Sequence, residues 1–246
     1  MAQFFHVFLY QPIFNALVLF YQFIPGNDIA LAIIALTIVI KLLLYPLSAQ
    51  SLKSQKSMQE LQPKIDALKT KYKGQKEVQA QKMMELYKEE KINPTASCLP
   101  LLIQFPILLA VFRVFGNGLS DQASSLNDLY SFVANPGHLE TASRIFGDMA
   151  TPSVVLAVLA GVAQFWQAKM IQVKKPPKEA GSGAKDESMA SAMNKQMLYM
   201  MPVLTIVFGM KFPGGLALYW LTTTLLTIAQ QFITLKKKDN AVEAVS

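Results

Sequence analysis

One cation, Lys41, stands inside the apolar run "LAIIALTIVIKLLLYPLSAQ" of residues 31 to 50. A charge in hydrocarbon costs about 3 kcal/mol or more unless water, a partner or snorkelling relieves it, so such a residue marks a functional cavity or a helix end. Thr37, Lys41 and Tyr45 follow at four-residue steps and share one helical face. Further polar side chains stand in the other apolar runs: Gln104, Gln164 and Gln167, and in the last run a stripe of Trp220, Thr224, Thr227 and Gln231. Threonine and glutamine in membrane helices often only join one helix to another, which accounts for these residues. It does not account for a free ammonium, because no Asp or Glu occurs within any of the apolar runs. Lys41 lies about 20 Å along the helix from Asp28, at 1.5 Å per residue. Two readings stand for it: snorkelling to inner-leaflet phosphates, or lining a wet groove open towards the cytoplasm.

Other reactive side chains point to no chemistry. His6 has no neighbouring ligand and reads as an interfacial polar residue, not a metal ligand. The single Cys98 excludes an intrachain disulfide and reads as a packed helix residue. The "GSGAK" segment lacks the ending of a phosphate-binding loop, so no nucleotide site is expected and no cofactor is implied.

The elements that must carry these residues follow from composition. Of 246 residues, 52% are hydrophobic and only 16% charged, with a net charge of +7. The charges cluster and the apolar residues run in blocks, the pattern of an integral membrane protein. The expected fold is all-α, with a core of five transmembrane helices, an N-terminal interfacial helix and a cytoplasmic helical hairpin. No cationic segment precedes the first apolar run, so the mature chain is expected to begin near Met1.

Taken in order, residues 1–27 hold an uncharged stretch whose Gln3, His6, Tyr10, Gln11, Asn15 and Gln22 fall within about half of a helical circumference. That favours a helix lying in the membrane interface, kinked at Pro12. An extra span is the rival, and it would have to reverse within Pro25-Gly26-Asn27. Residues 28–48 form the first core span. Residues 49–93 carry ten lysines and six acids, which keeps them in the cytoplasm and puts Asp28 at the outer end. Met58, Leu61, Ile65, Leu68 and Tyr72 recur at helical spacing. After a turn at "KYKGQK", Val78, Met83 or Met84 and Tyr87 continue a second helix, so this segment reads as a helical hairpin.

Residues 94–116 form the second span, with Pro100, Gln104 and Pro106 inside it and Arg113 as an outer anchor. Residues 117–150 are an acidic exterior loop and 151–171 the third span. Residues 172–195 form a flexible basic linker. Residues 196–235 make the fourth and fifth spans, joined by a tight turn at "PGG", and 236–246 a short basic tail. The fourth span is short for a hydrocarbon core of about 30 Å, which implies local thinning of the bilayer.

The segments "IVIKLLLYPLSAQSLKSQKSMQELQPKIDALKTKYK", "NPTASCLPLLIQFPI" and "KFPGGLALYW" followed by "IAQQFI" resemble the YidC/Oxa/Alb membrane protein insertases in order and spacing, from about Asp28 to Leu235. The resemblance implies the five-helix core, the cytoplasmic hairpin and the outer interfacial helix. It also places the positive groove residue on Lys41. Thr37, Tyr219 and Trp220 match other groove or substrate-contact positions, and Gln164 or Gln167 supplies the polar residue of the third helix. Many relatives carry Arg where this chain has Lys41. An ammonium is a single point charge that burial can neutralise, whereas guanidinium stays charged and binds carboxylates bidentately.

The expected activity is insertion of nascent hydrophobic segments into the bilayer without ATP, in a bacterial inner membrane, with the N-terminus outside and the C-terminus in the cytoplasm. No bond is made or broken, so this is not an enzyme. The partners are nascent membrane proteins and the lipid bilayer. Docking to the ribosome or the Sec translocon is left open by charge alone, and no nucleic-acid sequence is read. Two other classes remain: an assembly factor without insertion activity, and a small anion channel, the latter disfavoured by the lack of internal repeats and of an acidic coupling site.

Overall fold

The computed structural model describes residues 2–93, 99–119, 122–171 and 196–243. The expectations for Cys98 and for the basic linker at 172–195 lie outside the described residues.

The N-terminal segment is one helical run of α1 (Ala2–Phe5), a π-helical turn (His6–Tyr10) and α2 (Gln11–Phe23). The run continues through Pro12. Proline has no N–H to return to the carbonyl four residues earlier, and the turn before it widens instead, Gln11 N–H bonding to His6 O. The stretch Gln3–Phe23 is long and apolar enough to cross a membrane. The chain then reverses through Gly26 and Asn27, both at positive φ (81° and 50°).

Helix α3 (Ile29–Leu43) opens with a strong cap: Asp28 Oδ1 accepts from the Ala30 and Leu31 N–H groups at 2.9 and 3.3 Å. It ends at Leu44, where the axis bends by 69° into α4 (Tyr45–Glu60). The bend falls just ahead of Pro46, whose ring cannot continue the previous turn. Helix α3 is therefore shorter than its apolar sequence, and Tyr45 belongs to the next helix. After α4 come α5 (Gln62–Lys71) and α6 (Lys76–Glu89), antiparallel around a turn that uses Gly74 at φ +84°. Leu61 and Ile65 are buried beneath them, Gln79 Nε2 donates to Lys69 O at 2.8 Å, and Lys64 pairs with Glu90.

Helix α7 (Leu99–Arg113) contains Pro106 and runs into a π-helical turn (Val114–Gly118). The loop beyond holds α8 (Gln122–Ser125), a 3-10 turn (Leu126–Asp128) and a two-residue ladder of β1 (Ala142–Ser143) against β2 (Gly147–Asp148), with Ala142 opposite Asp148. Helix α9 (Val154–Ile171) follows, then a π-helical turn (Gln196–Met200) ahead of Pro202, α10 (Met201–Gly209) and α11 (Gly214–Glu243). Helix α11 continues through Lys236 to Lys238, where a separate tail was expected.

Helices α9, α10 and α11 pack together, and α11 also packs on α3. The close approach rests on small residues: a Cβ on Gly161 would lie 2.4 Å from Ile206 Cγ1, and one on Gly209 2.7 Å from Ala157 Cβ. Gly214 and Gly215 do not form the expected turn, which spans Met210 to Pro213. They open α11, and their N–H groups bond to Thr151 O and Met149 O at 2.8 and 2.9 Å. A Cβ on Gly214 would meet Thr151 O at 3.0 Å, so glycine serves close backbone approach there.

The two ends of the molecule differ. At the loop end Phe14, Leu17, Val18, Ile33, Phe115 and Met149 form a closed core between the N-terminal helix, α3, α7, the loop and α11. Towards the hairpin end Leu42, Leu43, Leu102, Phe105, Phe232 and Ile233 are exposed. Apolar side chains gain nothing by leaving lipid for one another, so an open apolar face is the expected surface of a helix seated in a bilayer.

Candidate functional site

Lys41 is half-buried near the end of α3, and its Nζ donates to Thr227 Oγ1 on α11 at 2.8 Å. Thr227 donates in turn to Thr223 O at 2.7 Å, so its hydroxyl proton is used and its oxygen faces the ammonium. Among the described residues no carboxylate lies within ion-pair distance of Lys41. An ammonium carries three donors, and one hydroxyl satisfies only one of them.

The other predicted residues separate into distinct roles. Thr37 is fully buried and bonds back to Ile33 O at 2.6 Å, and Thr224 does the same to Trp220 O at 2.8 Å, so both hydroxyls serve their own helices. Gln104 Nε2 donates to the buried Tyr219 hydroxyl at 2.7 Å, tying α7 to α11. Gln164 accepts from Thr205, tying α9 to α10. Gln167, three residues on, is half-buried and makes no side-chain hydrogen bond among the described residues. Trp220 is half-buried over a small apolar cleft lined by Ala157, Ala160, Thr205 and Gly209. Tyr45 is exposed beyond the bend, and its carbonyl is the part in use. The single face of Thr37, Lys41 and Tyr45 is thus divided by the bend at Leu44.

Two contacts were not foreseen. Gln230 Nε2 donates to Ser48 Oγ at 2.8 Å and to Tyr45 O at 3.2 Å, fastening α11 to the start of α4. Asp28 uses its second oxygen to accept from Ser143 Oγ at 2.9 Å and Arg144 N–H at 3.1 Å, fastening the β-ladder to the start of α3. The sequence signal for the cap was there, an Asp immediately before an apolar run. Its second partner lies 115 residues away.

The polar stripe of the N-terminal helix also has a destination. His6 Nε2 lies 3.1 Å from Asp128 Oδ2, and Gln11 and Asn15 both donate to Asp128 O at 3.0 Å. Tyr130 N–H donates to Asn15 Oδ1 at 2.7 Å, and Gln22 donates to Ala134 O at 2.5 Å. From His6 to Gln22 the stripe faces the loop at 125–140, which supplies its partners.

Residues 19–241 match the family model described as 60Kd inner membrane protein. The chain belongs to that family. The membrane protein insertase YidC of Fusobacterium nucleatum subsp. nucleatum is 36% identical over 211 residues, covering 86% of this chain and 88% of that protein. The insertase of the same name from Francisella tularensis subsp. novicida is 38% identical over 207 residues, 82% of this chain and 32% of that longer protein. Among solved structures, an active YidC insertase with its first transmembrane domain resolved is 26% identical at a TM-score of 0.55, covering 89% of this chain and 45% of that one. The resemblance read from the motifs is confirmed. This member of the 60Kd inner membrane protein family is an all-α protein of apolar helices, as expected.

Proposed function

We propose that the protein inserts nascent hydrophobic segments into the bilayer, acting on them through Lys41 and the polar stripe of α11 and without ATP. The observation that carries this reading is the half-buried ammonium of Lys41, held by a neutral hydroxyl with no carboxylate beside it among the described residues. A structural cation is normally neutralised, whereas one left with spare donors can attract an acid that arrives with a substrate. That attraction is stronger in a partly dry site than in water.

A segment enters from the cytoplasmic side, past the hairpin of α4, α5 and α6. Its acidic or polar leader pauses at Lys41, and its apolar part slides along α11 into lipid. The polar side chains on α3 and α11 shorten the apolar barrier that the leader crosses. Burial of the apolar part in lipid supplies the free energy, and a membrane potential positive outside assists outward transfer of acids. In this reading the hairpin and Lys236 to Lys238 lie in the cytoplasm, the loop at 119–150 lies outside, and residues 1–27 rest at the outer interface. The relatives named above are insertases, which supports the same activity here.

The test is insertion of a small protein with an acidic leader into vesicles holding wild type, Lys41→Ala or Lys41→Arg, with no ribosome, Sec translocon or ATP present. Insertion that requires the protein, falls with Ala and survives with Arg bears the reading out. Equal insertion by all three variants removes the attraction step. Wild type no better than empty vesicles removes the insertase reading and favours an assembly factor.

A further inference from the structure

Gln231 lies on the same stripe of α11 as Thr224 and Thr227, one turn or about 6 Å beyond the hydroxyl that holds Lys41. Its side chain is fully buried, and among the described residues neither its Oε1 nor its Nε2 has a hydrogen-bond partner. The contrast with its neighbours is sharp: Gln230 serves Ser48 and Tyr45, Gln104 serves Tyr219, and Gln164 serves Thr205. Buried amides are paired in nearly all folded proteins, and an apolar side chain of similar volume would suit an unpaired position better. Stability therefore gives no reason for a glutamine there.

A primary amide presents a donor and an acceptor side by side. The group that matches it is a main-chain peptide unit, which every polypeptide offers whatever its side chains. A hydrophobic segment that has left water without completing its helix carries unpaired N–H and C=O groups, each costly in an apolar setting. We propose that Gln231 is a main-chain binding site for the segment in transit, pairing with one of its peptide groups. This rests on the insertase reading and deepens it: Lys41 draws acidic side chains, while Gln231 takes the backbone and is indifferent to the leader's charge. Since Gln231 is closed off, the helices about it must part to admit a segment. The bonds from Gln230 to Ser48 and Tyr45 O hold α4 on α11 beside the bend at Leu44.

The experiment uses the full chain in vesicles of phosphatidylethanolamine and phosphatidylglycerol, with two substrates that differ only in an acidic or a neutral leader. Gln231→Leu is expected to keep or raise Tm while insertion of both substrates falls about two- to tenfold, the range of one lost hydrogen bond. In a second arm, Gln231→Cys is expected to form a disulfide with a cysteine in the apolar segment of an arrested substrate. The proposal is overturned if Gln231→Leu inserts both substrates at the wild-type rate, if its loss only follows a lowered Tm, or if no disulfide forms. Insertion by wild type no better than empty vesicles overturns the insertase reading itself, and this proposal with it.

Discussion

Lys41 Nζ and Thr227 Oγ1 meet at 2.8 Å across the contact of α3 with α11, and this bond joins the charged face of one helix to the polar stripe of the other. It holds the ammonium inward and away from the bend at Leu44, beyond which Tyr45 is exposed. Thr227 is thus a positioning residue for Lys41.

Thr227→Val keeps the volume and removes the acceptor. Hydrogen bonds to charged groups contribute about 1.5–3 kcal/mol, so the ammonium should swing towards the membrane surface. Insertion of an acidic-leader substrate should fall about tenfold or more while a neutral-leader substrate is unaffected, and Thr227→Ser should restore it. Vesicle insertion assays on both substrates check this.

Asp28 sets a pH dependence at the other end of α3. Burial pushes its carboxyl up, but hydrogen bonds from Ser143, Arg144, Leu31 and Ala30 outweigh that and leave it below its ordinary value of 3.8. The folded pKa therefore lies below the unfolded one. Its stabilisation is complete above the unfolded value and is lost as pH falls through the folded one. Wild-type Tm in detergent should hold down to about pH 4 and then decline. Asp28→Asn should start lower at neutral pH, and the two curves should converge in acid.

Gly161 faces Ile206 and Pro202 where α9 crosses α10. A Cβ there would lie 2.4 Å from Ile206 Cγ1 and 3.0 Å from Pro202 O. Gly161→Ala should cost about 1–3 kcal/mol by forcing the helices apart. Adding Ile206→Ala should relieve only the side-chain part of the clash, giving a less than additive double mutant in thermal unfolding.

Asn15 joins the N-terminal helix to the loop through Asp128 O and the Tyr130 N–H. Asn15→Ala removes both bonds from a buried position and should cost about 1–3 kcal/mol locally. Faster amide exchange in residues 2–23 and 122–140, with residues 154–171 unchanged, is the expected readout.

The apolar blocks, the basic hairpin with its turn near Gly74 and the lone Lys41 in an apolar run without an acid were all legible in the sequence, because hydropathy, charge and helical period are local properties. Their order also carried the family, through short motifs that stay together along the chain. What the chain order could not show was which polar groups meet. Lys41 and Thr227 are 186 residues apart, Gln230 and Ser48 are 182, and Gln104 and Tyr219 are 115. Each pairing depends on how separate helices pack, which no local pattern encodes. The same packing turned Gly214 and Gly215 from an expected turn into a helix start pressed on the loop, and turned the polar stripe of residues 6 to 22 onto that loop. It also left Gln231 enclosed with no partner among the described residues while Gln230 beside it has two. Neighbours on a helix point about 100° apart, so two identical residues in succession meet different surroundings, and only the tertiary structure decides which of them is satisfied.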